Sequence, residues 1–198
     1  MTNGQICLLT NDGTNITVEL AKSLTASGWK VIILNFPESI VAIERSLSLN
    51  IESVTLSDTS EEHISHQLQA IAERYGAIAA LIYLSPALTP VPAKTALKSV
   101  FLMAKHLQPS LNKAAEVGRS WFVTVSQLDG KLGLGKENIE PIIGGLSGLT
   151  KTLNWEWQSV FCRHIDLSPK LDTATAVDAI VAELHDPDLR LTEVGISN

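Results

Sequence analysis

The stretch ICLLTNDGTNITVELAKSL, Ile6 to Leu24, decides how the whole chain is read. It has the form of a buried strand, a turn and a helix. Asn15 is the expected N-cap, the helix is expected over Ile16–Ser27, and Gly28 is its stop. In many α/β proteins such a turn holds the phosphates of a dinucleotide. Glycines serve there because they tolerate positive φ and let a pyrophosphate lie against backbone N–H groups at the helix N-terminus. Here Asn11, Asn15 and Thr17 stand where glycines are expected, and only Gly13 remains. Asparagine enters the left-handed region, but its side chain fills the space a phosphate would use. The stretch therefore reads as a structural turn rather than a phosphate cradle.

The rest of the chain repeats the same alternation. Apolar runs occur at Ile6–Thr10, Lys30–Asn35, Ile51–Leu56, Ala79–Leu84, Trp121–Ser126 and Val160–Leu167. Most are apolar at nearly every position, as a strand covered on both faces by helices requires. Helices are expected between them. One follows Pro37, over Glu38–Leu47. A second is capped by Ser60, carries acidic residues in its first turn, and stops at Gly76. The longest covers Ala93–Val117 and is interrupted only by Pro109. Others cover Ile142–Gln158 and Thr173–Leu184. This pattern predicts an α/β fold, a doubly wound parallel sheet of Rossmann type with a degenerate cofactor site. Residues 1–198 are expected to form one domain, since no linker or repeat interrupts them.

Composition narrows the function classes. A net charge of -6 and pI near 5.3 repel a phosphate backbone, so nucleic-acid binding is not expected. Cys7 and Cys162 lie far apart in apolar runs and read as buried free thiols, which suits a reducing cytoplasm. No signal peptide opens the sequence and no apolar run approaches the ~20 residues needed to span a bilayer, so a cytoplasmic protein is expected, with no membrane partner.

In an open parallel sheet the informative residues follow the strands. After the second strand comes Asn35, where an Asp, Glu or Arg would read a ribose. Asp58, after the third, is expected to cap the next helix, with contact to an adenine amine as the other reading. Within "SPAL", after the fourth, there is no Asn-Ala-Gly turn. After the fifth comes VSQLDGKLG. The segments FVTVSQLDGKLGLG, GGLSGLTKTLNWEW and VFCRHIDLSP, with the terminal EVG, resemble the short-chain dehydrogenase/reductase superfamily. Within it the likeness is to the ketoreductase region of polyketide synthases and polyunsaturated fatty acid synthases, and it covers nearly the whole chain.

Active members of that family reduce a β-keto group on an acyl carrier with NADPH. A Ser binds the carbonyl, a Tyr donates the proton and a Lys lowers the Tyr pKa. The resemblance places the serine at Ser126, but the Tyr and Lys positions fall on Ile139 and Ile143. A competing register on Ser147 and Lys151 puts the helix motif out of phase. Pro141 further disfavours the usual geometry there. Isoleucine cannot donate a proton, and loss of general acid catalysis typically forfeits about 10²–10⁴-fold in rate.

The resemblance thus implies a non-catalytic structural subdomain with a vestigial Ser126, no catalytic or cofactor-binding residue and no metal. NADPH is expected in a partner catalytic ketoreductase half, and acyl carrier protein is among the other synthase domains it would meet. The terminal RLTEVGISN resembles the segment before that half, so the chain is expected to be a piece of a longer synthase. Two alternatives stand beside this: an active NADPH-dependent reductase with an atypical proton donor, and a free-standing adaptor of reductase ancestry.

Three further features have blander readings. His63 and His66, one helical turn apart, have metal-compatible spacing but read as a solvated face. Asp129, Lys131 and Lys136 form a possible acid/base set but read as a polar loop. Trp155 and Trp157 cannot share one face of a helix, so Trp155 is expected to be exposed and, with Phe161, to mark a partner surface.

Overall fold

The computed structural model describes residues 5–41, 51–86, 90–135 and 141–197. Seven parallel strands form one sheet in the order β3-β2-β1-β4-β5-β6-β7. They are β1 (Ile6–Thr10), β2 (Lys30–Asn35), β3 (Glu52–Thr55), β4 (Ile78–Leu84), β5 (Trp121–Ser126), β6 (Phe161–Leu167) and β7 (Glu193–Ile196). The helices are α1 (Asn15–Ala26), α2 (Glu61–Tyr75), α3 (Pro90–Ala115), α4 (Gly144–Glu156) and α5 (Thr173–His185).

The sheet separates two apolar cores, one beneath α2, α3 and α4 and the other beneath α1 and α5. Every residue of β1, β4, β5 and β6 is buried, which is why these strands carry no alternation in sequence. Each fully buried Leu or Ile there contributes roughly 1.5–3 kcal/mol relative to exposure. The chain thus has the doubly wound architecture that its alternating runs predict.

Several expectations are corrected. The cap of α1 is Thr14, whose Oγ1 accepts the Ile16 N–H at 3.1 Å, so Asn15 is already helical. The third run is an exposed edge strand rather than a buried one. Pro109 does not interrupt α3, which continues through it. The proline is solvent-exposed, and Ser110 Oγ next to it donates to Ile78 O at 2.7 Å, tying this turn to the sheet. The seventh strand, β7, is additional, since its sequence EVGI lacks a run of apolar residues. Of the helix expected over Glu38–Leu47, only the first residues are described, and they form a turn; 42–50 lie outside the described residues.

Arg163, in β6, is fully buried and braces the chain after α5. Its Nη1 donates to Glu183 Oε2 at 2.5 Å and Asp186 Oδ2 at 2.7 Å, and its Nε donates to Leu191 O at 3.0 Å. Removing one partner of such a buried pair is costly because the charge left behind is uncompensated.

Candidate functional site

The carboxyl ends of the strands carry two polar arrangements, one after β1 and one between β5 and β6. The first fills the position of a phosphate-binding turn. Asp12, 6% exposed, places its carboxylate at the start of α1. Its Oδ1 accepts Thr14 N at 2.9 Å and Thr17 Oγ1 at 2.7 Å, and its Oδ2 accepts Thr14 Oγ1 at 2.8 Å. The neighbouring N–H groups are also engaged. Asp12 N donates to Thr17 Oγ1 at 3.2 Å, Gly13 N to Asn11 Oδ1 at 2.9 Å, and Ile16 N to the Thr14 cap.

Such donors at a helix N-terminus are what an anion would use. Here the chain supplies its own acceptors, including a full negative charge. Asn11 Nδ2 donates to Asn35 Oδ1 at 2.9 Å, and Asn35 Nδ2 reaches Thr55 Oγ1 at 3.3 Å. Asn35, standing where an Asp, Glu or Arg would read a ribose, links the turn to β3.

The second arrangement follows from register. Ser126 in β5 pairs with Asp166 in β6, and both are fully buried. Ser126 Oγ donates to Asp166 Oδ1 at 3.0 Å. The same carboxylate accepts Leu128 N at 2.8 Å, Lys131 N at 3.1 Å and Leu132 N at 2.9 Å. Those bonds hold the loop after β5 against the sheet, including Leu132 at a positive φ of 59°.

His164, two residues before Asp166, has Nε2 3.3 Å from Ser126 Oγ and Nδ1 2.8 Å from Thr124 Oγ1. Thr124 Oγ1 lies 2.7 Å from Thr150 Oγ1. A carboxylate only accepts, so the Ser126 proton goes to Asp166, and Thr150 Oγ1 donates to Leu146 O at 2.9 Å. With that proton committed, Thr124 Oγ1 donates to Thr150 and accepts from His164 Nδ1. Burial pushes the His164 pKa down to about 4, with Glu193 acting weakly upward and Lys151 downward. Serine, histidine and aspartate thus meet, but without the order of a nucleophilic triad. The carboxylate holds the serine rather than the histidine, and the hydroxyl is sealed from solvent.

The remaining candidates are scattered. Ile143 packs beside Tyr83, Ser85, Leu97 and Leu146 around a cavity of about 10 Å³, room for one water at most. Ile139 and Lys136 lie outside the described residues. Of the "SPAL" segment, Ser85 and Pro86 are described, and Ser85 N donates to Val125 O at 2.8 Å. Ser147 and Lys151 both engage Glu193 of β7, at 2.6 and 3.0 Å, which makes them a strap from α4 to the sheet edge.

Asp58 supports the cap of α2 by accepting Ser60 N at 2.7 Å and Ser60 Oγ at 2.6 Å, and these bonds lower its pKa. Burial works to raise the Asp129 pKa, but bonds from Gly133 N, Lys131 N and Gly135 N outweigh it and hold the carboxyl below its usual range. That carboxylate organises its own loop. His63 Nε2 accepts Ser57 N at 3.1 Å. Among the described residues no group of three or more His, Cys, Asp or Glu is placed to hold a metal.

Trp155 is 84% exposed, whereas Trp157 is buried edge-on against Phe122 at 5.5 Å. Phe161 departs from expectation. It is 6% exposed and lies under the guanidinium groups of Arg119 and Arg163, so it marks no surface. Cys7 and Cys162 are buried and free, and burial raises both thiols, Cys162 to about 12.

Sequence reading missed Asp12, His164 and Asp166. Asp12 has a local signal: Asp followed two residues later by Thr is an Asx-turn pattern. Asp166 and His164 show themselves only as polar residues inside an apolar run.

The class that the sheet order and flanking helices define is the Rossmann-like fold of the short-chain dehydrogenases/reductases. The chain aligns with a metagenomic short-chain oxidoreductase in complex with NADP at TM-score 0.73 and 18% identity, over 98% of this chain and 96% of that one. It aligns with the 3-ketoacyl-(acyl-carrier-protein) reductase of Brucella melitensis complexed with NADH at TM-score 0.72 and 16% identity, over 96% and 95%.

In sequence the chain is similar to one of the subunits of the polyunsaturated fatty acid synthase of Thraustochytrium sp. (strain ATCC 26185 / S-3), 29% identical over 196 residues, or 96% of this chain. It spans 7% of that relative's length. No family model matches the chain. Among the described residues no helix is long and apolar enough to cross a membrane.

Proposed function

We propose that this chain is a non-catalytic structural subdomain that supports the NADPH-dependent β-ketoacyl reductase step of a polyunsaturated fatty acid or polyketide synthase, working in the cytoplasm beside a catalytic half and the acyl carrier. One observation carries the reading: the Asp12 carboxylate holds the N-terminus of α1, with the N–H groups of Asp12, Gly13, Thr14 and Ile16 already paired. A pyrophosphate entering there would displace these bonds and meet a like charge, a repulsion of about 4 kcal/mol per charge pair at contact distance near a protein surface.

Proton donation is equally unsupported. The chain has two tyrosines. Tyr83 is buried, and desolvation raises its pKa. Tyr75 Oη donates to Glu52 at 3.0 Å, and its pKa is raised by desolvation and then by that bond. Neither phenol is tuned to release a proton near neutral pH. Isoleucines stand at positions 139 and 143.

The test has two arms. NADPH titrated against the purified chain is expected to leave the thermal midpoint unchanged, whereas a ligand at 100 times its dissociation constant adds about 2.7 kcal/mol. Expressed together with a catalytic reductase half, the chain is expected to raise the yield of active, soluble enzyme, and Ser126→Ala is expected to leave the catalytic constant of that enzyme unaltered. NADPH-dependent turnover by the chain alone, abolished in Ser126→Ala, would establish an active reductase instead.

A further inference from the structure

Helix α3 carries Lys94, Lys98, Lys105 and Lys113 and no Asp or Glu, in a chain whose net charge is -6. It packs against both α2 and α4, and Val100, Met103, Leu107 and Leu111 turn one side of it into the core. On the outer side Lys94, Lys98, Phe101 and Lys105 are all exposed. They follow at i, i+4, i+7 and i+11, which makes one straight stripe about 16 Å long at about 1.5 Å per residue. Lys105 is compensated by Glu61 of α2, 2.7 Å away. Among the described residues no carboxylate pairs with Lys94 or Lys98. Both lie in the amino-terminal half of the helix, where the macrodipole gives a cation no support. Phe101, 54% exposed, holds an aromatic ring in water between these charges.

Charge and shape select the occupant. A second copy is disfavoured, since a two-fold axis through Phe101 carries Lys98 of each protomer towards Lys105 of the other. A phosphate backbone is repelled by the net charge of the whole chain. A helix that lies on a membrane inserts its apolar side, and here that side is already buried in the core, leaving Phe101 alone. A straight stripe of two uncompensated cations and one ring instead matches the side of another helix that presents carboxylates and an apolar group at the same spacing. We propose that this stripe of α3 docks an acidic amphipathic helix of a partner protein, its carboxylates opposite Lys94 and Lys98 and an apolar side chain on Phe101. The surface is defined by charge and exposure and stands or falls separately from the scaffold reading above.

The probe is a synthetic helical peptide with Leu at its centre and Glu three and seven residues to either side, and the control peptide has Gln for every Glu. In backbone amide NMR of the whole chain the Glu peptide is expected to give saturable shifts centred on residues 94–105, with the control at least about tenfold weaker. Two exposed ion pairs lost and two repulsions gained correspond to about tenfold in affinity, so Lys94→Glu with Lys98→Glu is expected to weaken the Glu peptide by that factor and keep the thermal midpoint. Phe101→Ala is expected to weaken both peptides alike. The proposal is overturned by a control that binds as tightly as the Glu peptide, or by undiminished binding in the double variant. It is equally overturned by a dimer of the chain that dissociates in Phe101→Ala, or by phosphatidylglycerol vesicles that bind the chain more tightly than the Glu peptide does.

Discussion

Asp166 and His164 show how single side chains hold this end of the sheet. Asp166 is fully buried and is tolerated because Ser126 Oγ and the backbone N–H groups of the β5 loop converge on it. Asp166→Asn turns part of the acceptor into a donor facing other donors, and a loss of about 2–4 kcal/mol in urea denaturation is expected. An unchanged midpoint would mean that the loop is anchored by something else. His164 has its folded pKa lowered to about 4 by burial, against about 6.5 when unfolded. The unfolded chain therefore binds the extra proton first as pH falls. The contribution of neutral His164 is fully present above about pH 6.5 and is lost progressively towards pH 4, by on the order of 2–3 kcal/mol. Urea midpoints measured across that window should fall for the native protein and fall less steeply for His164→Gln.

At the scale of elements, close backbone approach decides what the edge of the sheet can accept. Gly130 sits at φ +69°, and a Cβ there would lie 2.2 Å from Ile196 O and 2.9 Å from Ser168 N, both backbone atoms. Gly130→Ala therefore adds left-handed strain to a clash that only a displacement of β7 relieves. A loss of more than about 2 kcal/mol is expected, with faster amide exchange confined first to Glu193–Ile196. Uniform exchange with no loss of stability would contradict this account. Helix α3 carries the opposite lesson. Pro109 costs a backbone hydrogen bond, yet packing against the sheet maintains the helix through it. Pro109→Ala, at an exposed position, is expected to raise the thermal midpoint.

For the whole molecule, the question is which face meets a partner. Trp155 is exposed on α4, where its truncation should change the stability of the chain by no more than about 0.5 kcal/mol. Aromatic side chains left in solvent are typical anchors of an interface. Trp155→Ala is accordingly expected to weaken association with a catalytic half at least tenfold in sedimentation or pull-down measurements while the isolated chain melts as before. Normal pairing by that variant would move the interface elsewhere. Phe161 is no longer part of this surface, because two guanidinium groups cover it.

The sequence by itself determined the layers. Runs such as Leu8–Leu9 and Ile32–Leu34, apolar without alternation, require a sheet covered on both faces. The scarcity of glycine after the first strand and the isoleucines at 139 and 143 are what the sequence contributes to the proposal of a non-catalytic chain. The sequence also separated Trp155 from Trp157, since helical period is a local property. The tertiary structure alone decided which distant residues meet at the carboxyl ends of the strands. Ser126 and Asp166 are neighbours because β5 and β6 pair in a particular register. Edge strands β3 and β7 were equally hard to read, for exposure removes the apolar signature that marks a central strand. Local pattern reports what a segment must bury; which distant residue satisfies a buried polar atom depends on the register and turns of the folded chain.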